Sequence, residues 1–114
     1  MKIKVITKPI TRAQAHEIGK EFYDDMVKGV VDIHKEIIAL GGEYHMDANT
    51  VLIEHGSVQG NVWGFNVYPQ RKREEWIEYT SLINIRPAVE NRTMTVEDKA
   101  IRDRMKKIIE ALIQ

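Results

Sequence analysis

The sequence predicts an α+β domain: an antiparallel meander sheet of four to five strands, packed against two N-terminal helices and one C-terminal helix. Three observations predict it. Apolar spacing is helical up to the Gly41-Gly42 pair and again after Thr95, but has a period of two in between. Capping patterns, Thr11-x-x-Gln14 and Thr95-x-x-Asp98, open the first and last helical stretches. The period-two segments can also be placed in a register that keeps one sheet face apolar throughout.

A length of 114 residues fits one domain with a single ordinary core. Seventeen basic residues balance seventeen acidic ones, so no global field favours nucleic acid or an anionic membrane. The absence of cysteine excludes disulfides, thiolate metal sites and cysteine nucleophiles. The opening MKIKVITKPI reads as a strand rather than a signal peptide, and no apolar run approaches membrane-spanning length. A cytoplasmic protein is expected, in which the N-R-T triplet at Asn91 is a chance match to a glycosylation acceptor.

Residues 2–6 alternate as a strand that Pro9 closes, and Thr11 then caps a helix carrying Ala15, Ile18, Phe22 and Met26 at helical spacing. The segment 26–42 supports two readings. Its β-branched pairs suit a hairpin turning at His34-Lys35. Met26, Val30, Ile33, Ile37 and Leu40 also form one helical stripe that Gly41-Gly42 would stop, and the helix, bent at Gly29, is preferred. On that helix Asp32 and Glu36 align on a solvated face while His34 turns away. After the glycines, TVLIEH, NVWGFNVYP and WIEYTSLINIRP read as strands, with EYHMD as a further strand through a turn at Ala48-Asn49. The RKREE loop, residues 71–75, is a solvated hairpin connection. Ile101, Met105, Ile108 and Leu112 form the apolar stripe of the last helix.

Setting Trp63 opposite Ile53 and Phe65 opposite Val51, then Phe65 opposite Tyr79 and Val67 opposite Ile77, keeps charge off the inner face. It also buries Ser81 against Trp63. The other face then gathers Glu43, His45 and Asp47 opposite Glu54, Leu52 and Thr50, followed by Val62, Gly64, Asn66, Leu82, Thr80 and Glu78, with Asn84 and Arg86 at the end. Glu43 opposite Glu54 is an unfavourable pair unless a cation, a proton or Arg86 relieves it.

That face supplies the candidate sites. His45 and Asp47, with Glu43 or Glu54, offer an imidazole and carboxylates to a divalent metal, or an acid and a base to a hydrolytic reaction. Their spacing lacks the specificity of a helical H-E-x-x-H, and a turn with polar decoration explains the same residues. Asn66, Asn84 and Arg86 form the candidate ligand-binding set. Arg86, extended before Pro87, suits a carboxylate or phosphate, against the plainer reading of a salt bridge to Glu43, Glu54 or Glu90.

The stretches GGEYHMDA, EHGSVQGNVWGFNVYP and WIEYTSLINIRP…NRT together resemble a family of short prokaryotic proteins classed as a domain of unknown function, over nearly the whole chain. Glu43, His45, Asp47, Ser57, Gln59, Trp63, Gly64, Asn66, Ser81, Asn84, Arg86, Pro87 and Asn91 stand at the positions that recur in that pattern. The resemblance implies no activity or cofactor. The functional expectation is therefore a ligand- or protein-binding module that uses the mixed polar and apolar face. Its partner would be a small acidic ligand or a protein, with no nucleic acid or membrane involved. The alternative is a small acid/base or metal-dependent hydrolase centred on His45 and Asp47, its cleft completed in a homodimer.

Overall fold

A computed structural model of the chain describes residues 2–114. In chain order it forms β1 (Lys4–Ile6), α1 (Arg12–Gly19), β2 (Val27–Asp32), β3 (Ile37–Leu40), α2 (His45–Glu54), β4 (Val62–Val67), β5 (Ile77–Glu78) and α3 (Lys99–Leu112). The strands make one antiparallel sheet in the order β1-β3-β2-β4-β5. The α+β class, the five antiparallel strands and the three helices agree with the sequence expectation. The allocation of the middle of the chain does not.

Helix α1 starts where the capping box places it. The Thr11 hydroxyl accepts from the Gln14 amide at 3.1 Å, and the Gln14 side chain accepts from the Thr11 N–H at 2.9 Å. Such a cap contributes about 1 kcal/mol. The helix ends at Gly19, before Phe22 and Met26, and a Cβ at Gly19 would lie 2.7 Å from the Met26 carbonyl, so the returning chain needs glycine at this point.

The segment 27–40 is the hairpin, not the preferred helix. It is the centre of the sheet, with Val27, Val30, Val31, Ile38, Ala39 and Leu40 fully buried although neighbouring positions face opposite sides. A strand covered on both faces has no polar alternation, so its apolar residues fit a helical stripe as well as a strand. Gly29 is no helix bend. A Cβ there would lie 2.5 Å from the Phe65 ring and 2.8 Å from the Leu40 side chain, so the strand needs glycine under that ring. Asp32 makes the turn: its Oδ1 accepts from the N–H groups of His34 and Lys35, both at 2.9 Å. Glu36 closes it at φ 58°.

Residues 45–54 are a helix, where the sequence suggests two strands and a turn at Ala48-Asn49. His45, Ala48, Asn49 and Leu52 are its buried residues, spaced i, i+3, i+4, i+7. Two of those four are polar, which hides the stripe from a reading based on hydrophobicity. Gly41 and Gly42 enter this helix at φ 114° and 90° rather than ending one, and the Asp47 carboxylate accepts from the Tyr44 N–H at 3.0 Å.

The two faces of the sheet are filled differently. Trp63, Phe65 and Val67 join Val27, Val31, Ile38 and Leu40 in a core closed by Ala15 of α1 and by Met105, Ile108, Ile109 and Leu112 of α3. Val62 joins Val30 and Ala39 under Ala48 and Leu52 of α2 on the other face. The side assignment within 62–67 thus holds, while the neighbour of β4 is β2, with Phe65 opposite Gly29 and Trp63 opposite Val31. Val67 pairs with Ile77, as the sequence register has it.

That last ladder stops after Glu78, so the long strand expected over 76–87 is only two residues. Asn84 takes its place along β4. Its Oδ1 accepts from the Gly64 N–H at 2.8 Å and its Nδ2 donates to the Gly64 carbonyl at 3.0 Å, as a neighbouring strand would. Thr95 bridges to Thr80, and the cap of α3 is Asp98 alone, which accepts from Ala100 at 2.8 Å. The 71–75 loop is tied down more than a solvated connection requires. Arg12 donates to the carbonyls of Pro69 and Arg71, and Arg73 approaches Glu110 at 3.7 Å. No helix among the described residues is long and apolar enough to cross a membrane.

Candidate ligand-binding site

One row of side chains crosses the α2 face of the sheet. Lys28 of β2 lies opposite Asn66 of β4, and Asn66 lies opposite Glu78 of β5, so the pleat turns all three to the same side. In an otherwise apolar layer this row needs polar partners, and α2 supplies one. His45, only 8% exposed, brings its Nε2 to 2.8 Å from Asn66 Oδ1 and 2.9 Å from the Phe65 carbonyl. Both neighbours are acceptors, which assigns the proton to Nε2. Asn66 passes the chain on, its Nδ2 donating to Glu78 Oε1 at 2.8 Å, and the Tyr68 hydroxyl donates to the same oxygen at 3.3 Å.

With Nε2 protonated, the other nitrogen of neutral His45, Nδ1, is an acceptor without a hydrogen-bond partner among the described residues. Burial pushes the imidazole below its ordinary value and the Lys28 charge adds to this, while the Phe65 carbonyl, Asn66 and Glu78 act in the opposite sense. The net direction is downward, so His45 is neutral at pH 7.

This relay forms the floor of a cleft of about 510 Å³ between the start of α2 and the 80–83 segment. The rim is apolar and open. Tyr44 is 61%, Met46 55%, Leu82 73% and Met94 43% exposed, and all four line the cleft together with Lys28, His45 and Asn66. Ser81 shapes the wall by lying against the bare backbone of Gly64, where a Cβ would be 2.5 Å from its own. Its hydroxyl accepts from the Ile83 N–H at 3.2 Å, a local cap rather than a nucleophile's setting.

The sequence-derived candidates are distributed differently from the expectation. His45 and Asp47, two positions apart on a helix, leave it on different sides. Asp47 caps the turn at Tyr44 while His45 enters the cleft floor. Glu54 closes the far end of α2, about 13 Å along the axis from His45, so the Glu43–Glu54 pairing does not form. The Glu43 carbonyl accepts from the Tyr23 hydroxyl at 2.5 Å, and its side chain is exposed. No group of three or more His, Asp or Glu side chains among the described residues is placed to hold a metal ion.

Of the ligand-binding set, only Asn66 reaches the cleft. Asn84 is completely buried, and its Nδ2 also donates to the Met94 carbonyl at 3.1 Å. Arg86 stacks 4.2 Å over the Trp63 ring and donates to the carbonyls of Ile83, Gly60 and Val62 in place of a carboxylate. Asn91 of the N-R-T triplet is 4% exposed and donates to the carbonyls of Asn84, Thr93 and Thr95. Gln59 exchanges two 2.8 Å bonds with Asn49. These amides hold the irregular 80–97 segment and the end of α2 in place.

Thr80 and Leu82 stand on the mixed face that the sequence singles out, but sequence reasoning missed Lys28, Tyr44, Met46 and Met94 as cleft residues. Lys28 stood in a segment read as helix, and the others gave no signal beyond apolarity. Among curated proteins and among solved structures, the comparison finds no match to this chain. A family model does match it across residues 4–112, and the chain belongs to that family, described as a protein of unknown function (DUF5674).

Proposed function

We propose that this chain is a small cytoplasmic binding module whose occupant, a small molecule with an apolar body, lies in the cleft between the start of α2 and the 80–83 segment. One observation carries the reading: an open apolar rim surrounds a floor built on the His45–Asn66–Glu78 relay, which leaves the His45 Nδ1 acceptor free. A solvated surface has no need of such a relay, whereas a site that orients a ligand by one polar contact does. The volume is in the range of small-molecule sites, and the two methionines can adapt to the shape of an occupant.

Titration of the ¹⁵N-labelled chain with 4-methylpentanol tests the reading. Saturable amide shifts are expected at His45, Asn66, Leu82 and the residues around Met94. Leu82→Asp alters a side chain that is 73% exposed, so it should keep the melting temperature and lose the shifts. Shifts spread over the whole surface, or unchanged by Leu82→Asp, would refute the assignment.

A further inference from the structure

This inference rests on the cleft being a binding site and concerns what it binds. Lys28 is the only charged side chain lining the cleft, and its ammonium has no carboxylate partner among the described residues. It lies over the face of the Tyr23 ring, with Nζ 5.4 Å from the ring centroid. Tyr44, His45 and Met46, the cap and first two residues of α2, line the same wall, and the N–H groups of His45 and Met46 lack partners among the described residues. An unpaired ammonium and two free N–H groups at a helix start all favour a negative group. The surrounding wall of Tyr44, Met46, Leu82 and Met94 favours a hydrocarbon chain.

We propose that the cleft binds an apolar monocarboxylate, its carboxylate between Lys28 and His45 and its chain along the apolar rim, and that binding places a proton on His45 Nδ1. The proton requirement follows from the relay. Nε2–H is committed to Asn66 and Phe65, so unprotonated Nδ1 would present a lone pair to the carboxylate, and the two would repel. One proton taken from solvent onto Nδ1 turns that contact into a charge-assisted hydrogen bond, with no covalent bond made or broken. The charged groups acting on His45 are Lys28 from β2 and Glu78 from β5. The carboxylate offsets Lys28, and Glu78, acting through Asn66, favours the imidazolium.

The chemistry has two sources, a free short-chain acid or the C-terminus of a peptide ending in an aliphatic residue. Calorimetric titration of the intact chain with sodium 4-methylpentanoate, in two buffers of different ionisation enthalpy, reads affinity and proton uptake together. The proposal expects uptake approaching one proton per ligand at neutral pH and a Kd that rises by about tenfold per pH unit above the depressed value of the free imidazole. Lys28→Met should weaken binding at least about tenfold, and His45→Gln should remove the pH dependence. Acetyl-Ala-Ala-Leu against its C-terminal amide identifies the source: tighter binding of the free-carboxylate peptide than of the small acid assigns a peptide terminus, and the reverse a free acid. If 4-methylpentanol binds as well as the carboxylate at pH 6, or binding takes up no proton, the carboxylate proposal is overturned while the cleft stands. If neither the alcohol nor the acid binds, both fail.

Discussion

Asn84 offers the sharpest test of how this fold replaces a strand with a side chain. Replacing it by alanine removes three hydrogen bonds: from the Gly64 N–H at 2.8 Å, to the Gly64 carbonyl at 3.0 Å and to the Met94 carbonyl at 3.1 Å. Gly64 is buried, so both of its backbone groups lose their partner without gaining water, whereas the Met94 carbonyl keeps the Ser81 N–H as a donor at 3.0 Å. Each buried orphan costs roughly 1–3 kcal/mol, and the total loss should be about 3 kcal/mol. That is a large part of a typical stability of about 5–15 kcal/mol, yet leaves a folded protein. With a urea m-value of about 2 kcal/mol/M, the midpoint should fall by about 1.5 M. Asn84→Asp is the control. It keeps an acceptor for the Gly64 N–H but sets a carboxylate oxygen against two carbonyls, so its loss should be greater at pH 8 than at pH 4, where the carboxyl can donate. A loss below about 1 kcal/mol for Asn84→Ala would show that the amide does not substitute for the strand. Unchanged stability with loss of probe binding would return Asn84 to the ligand.

Two further outcomes follow from the same network. The folded-state value of His45 is depressed, so as pH falls below about 6.5 the unfolded chain takes up a proton before the folded one does. Its stabilising contribution is complete above that pH and is lost as pH falls toward the folded value. Melting temperatures between pH 7.5 and 5 should therefore drop more steeply for the native chain than for His45→Gln; parallel curves would refute a buried neutral imidazole. Arg86→Lys keeps the charge but gives up the fork that reaches the carbonyls of Ile83, Gly60 and Val62 and the stack on Trp63. It should cost about 2 kcal/mol in urea unfolding and shift tryptophan emission, whereas an anion-binding role alone would leave stability intact.

The sequence by itself determined what depends on local chemistry. The Thr11–Gln14 box places α1 and the stripe of Met105, Ile108 and Leu112 places α3, since caps and apolar spacing act within one or two turns. Alternation likewise put Trp63, Phe65 and Val67 on one face and Val62, Gly64 and Asn66 on the other, because the pleat fixes parity whichever strand lies alongside. It also turned His45, Leu52, Asn66 and Thr80 toward the same side as the cleft, although for 45–54 the element was misjudged.

Only the tertiary structure decided the rest. Val27 to Leu40 become a central hairpin because helices cover both of its faces, and burial on two sides erases the polar alternation that marks a strand. His45 and Asn49 enter a helical stripe because the sheet offers Asn66 to one and the turn before β4 offers the Gln59 amide to the other. Without those distant partners a histidine and an asparagine read as surface residues. The cleft is the extreme case. Lys28, His45 and Leu82 come from a strand, a helix and a short turn, and no spacing in the chain connects them. They meet because Asn84 completes β4 in place of a backbone, holding residues 80–83 off the ladder and leaving the polar row beneath α2 open at one end.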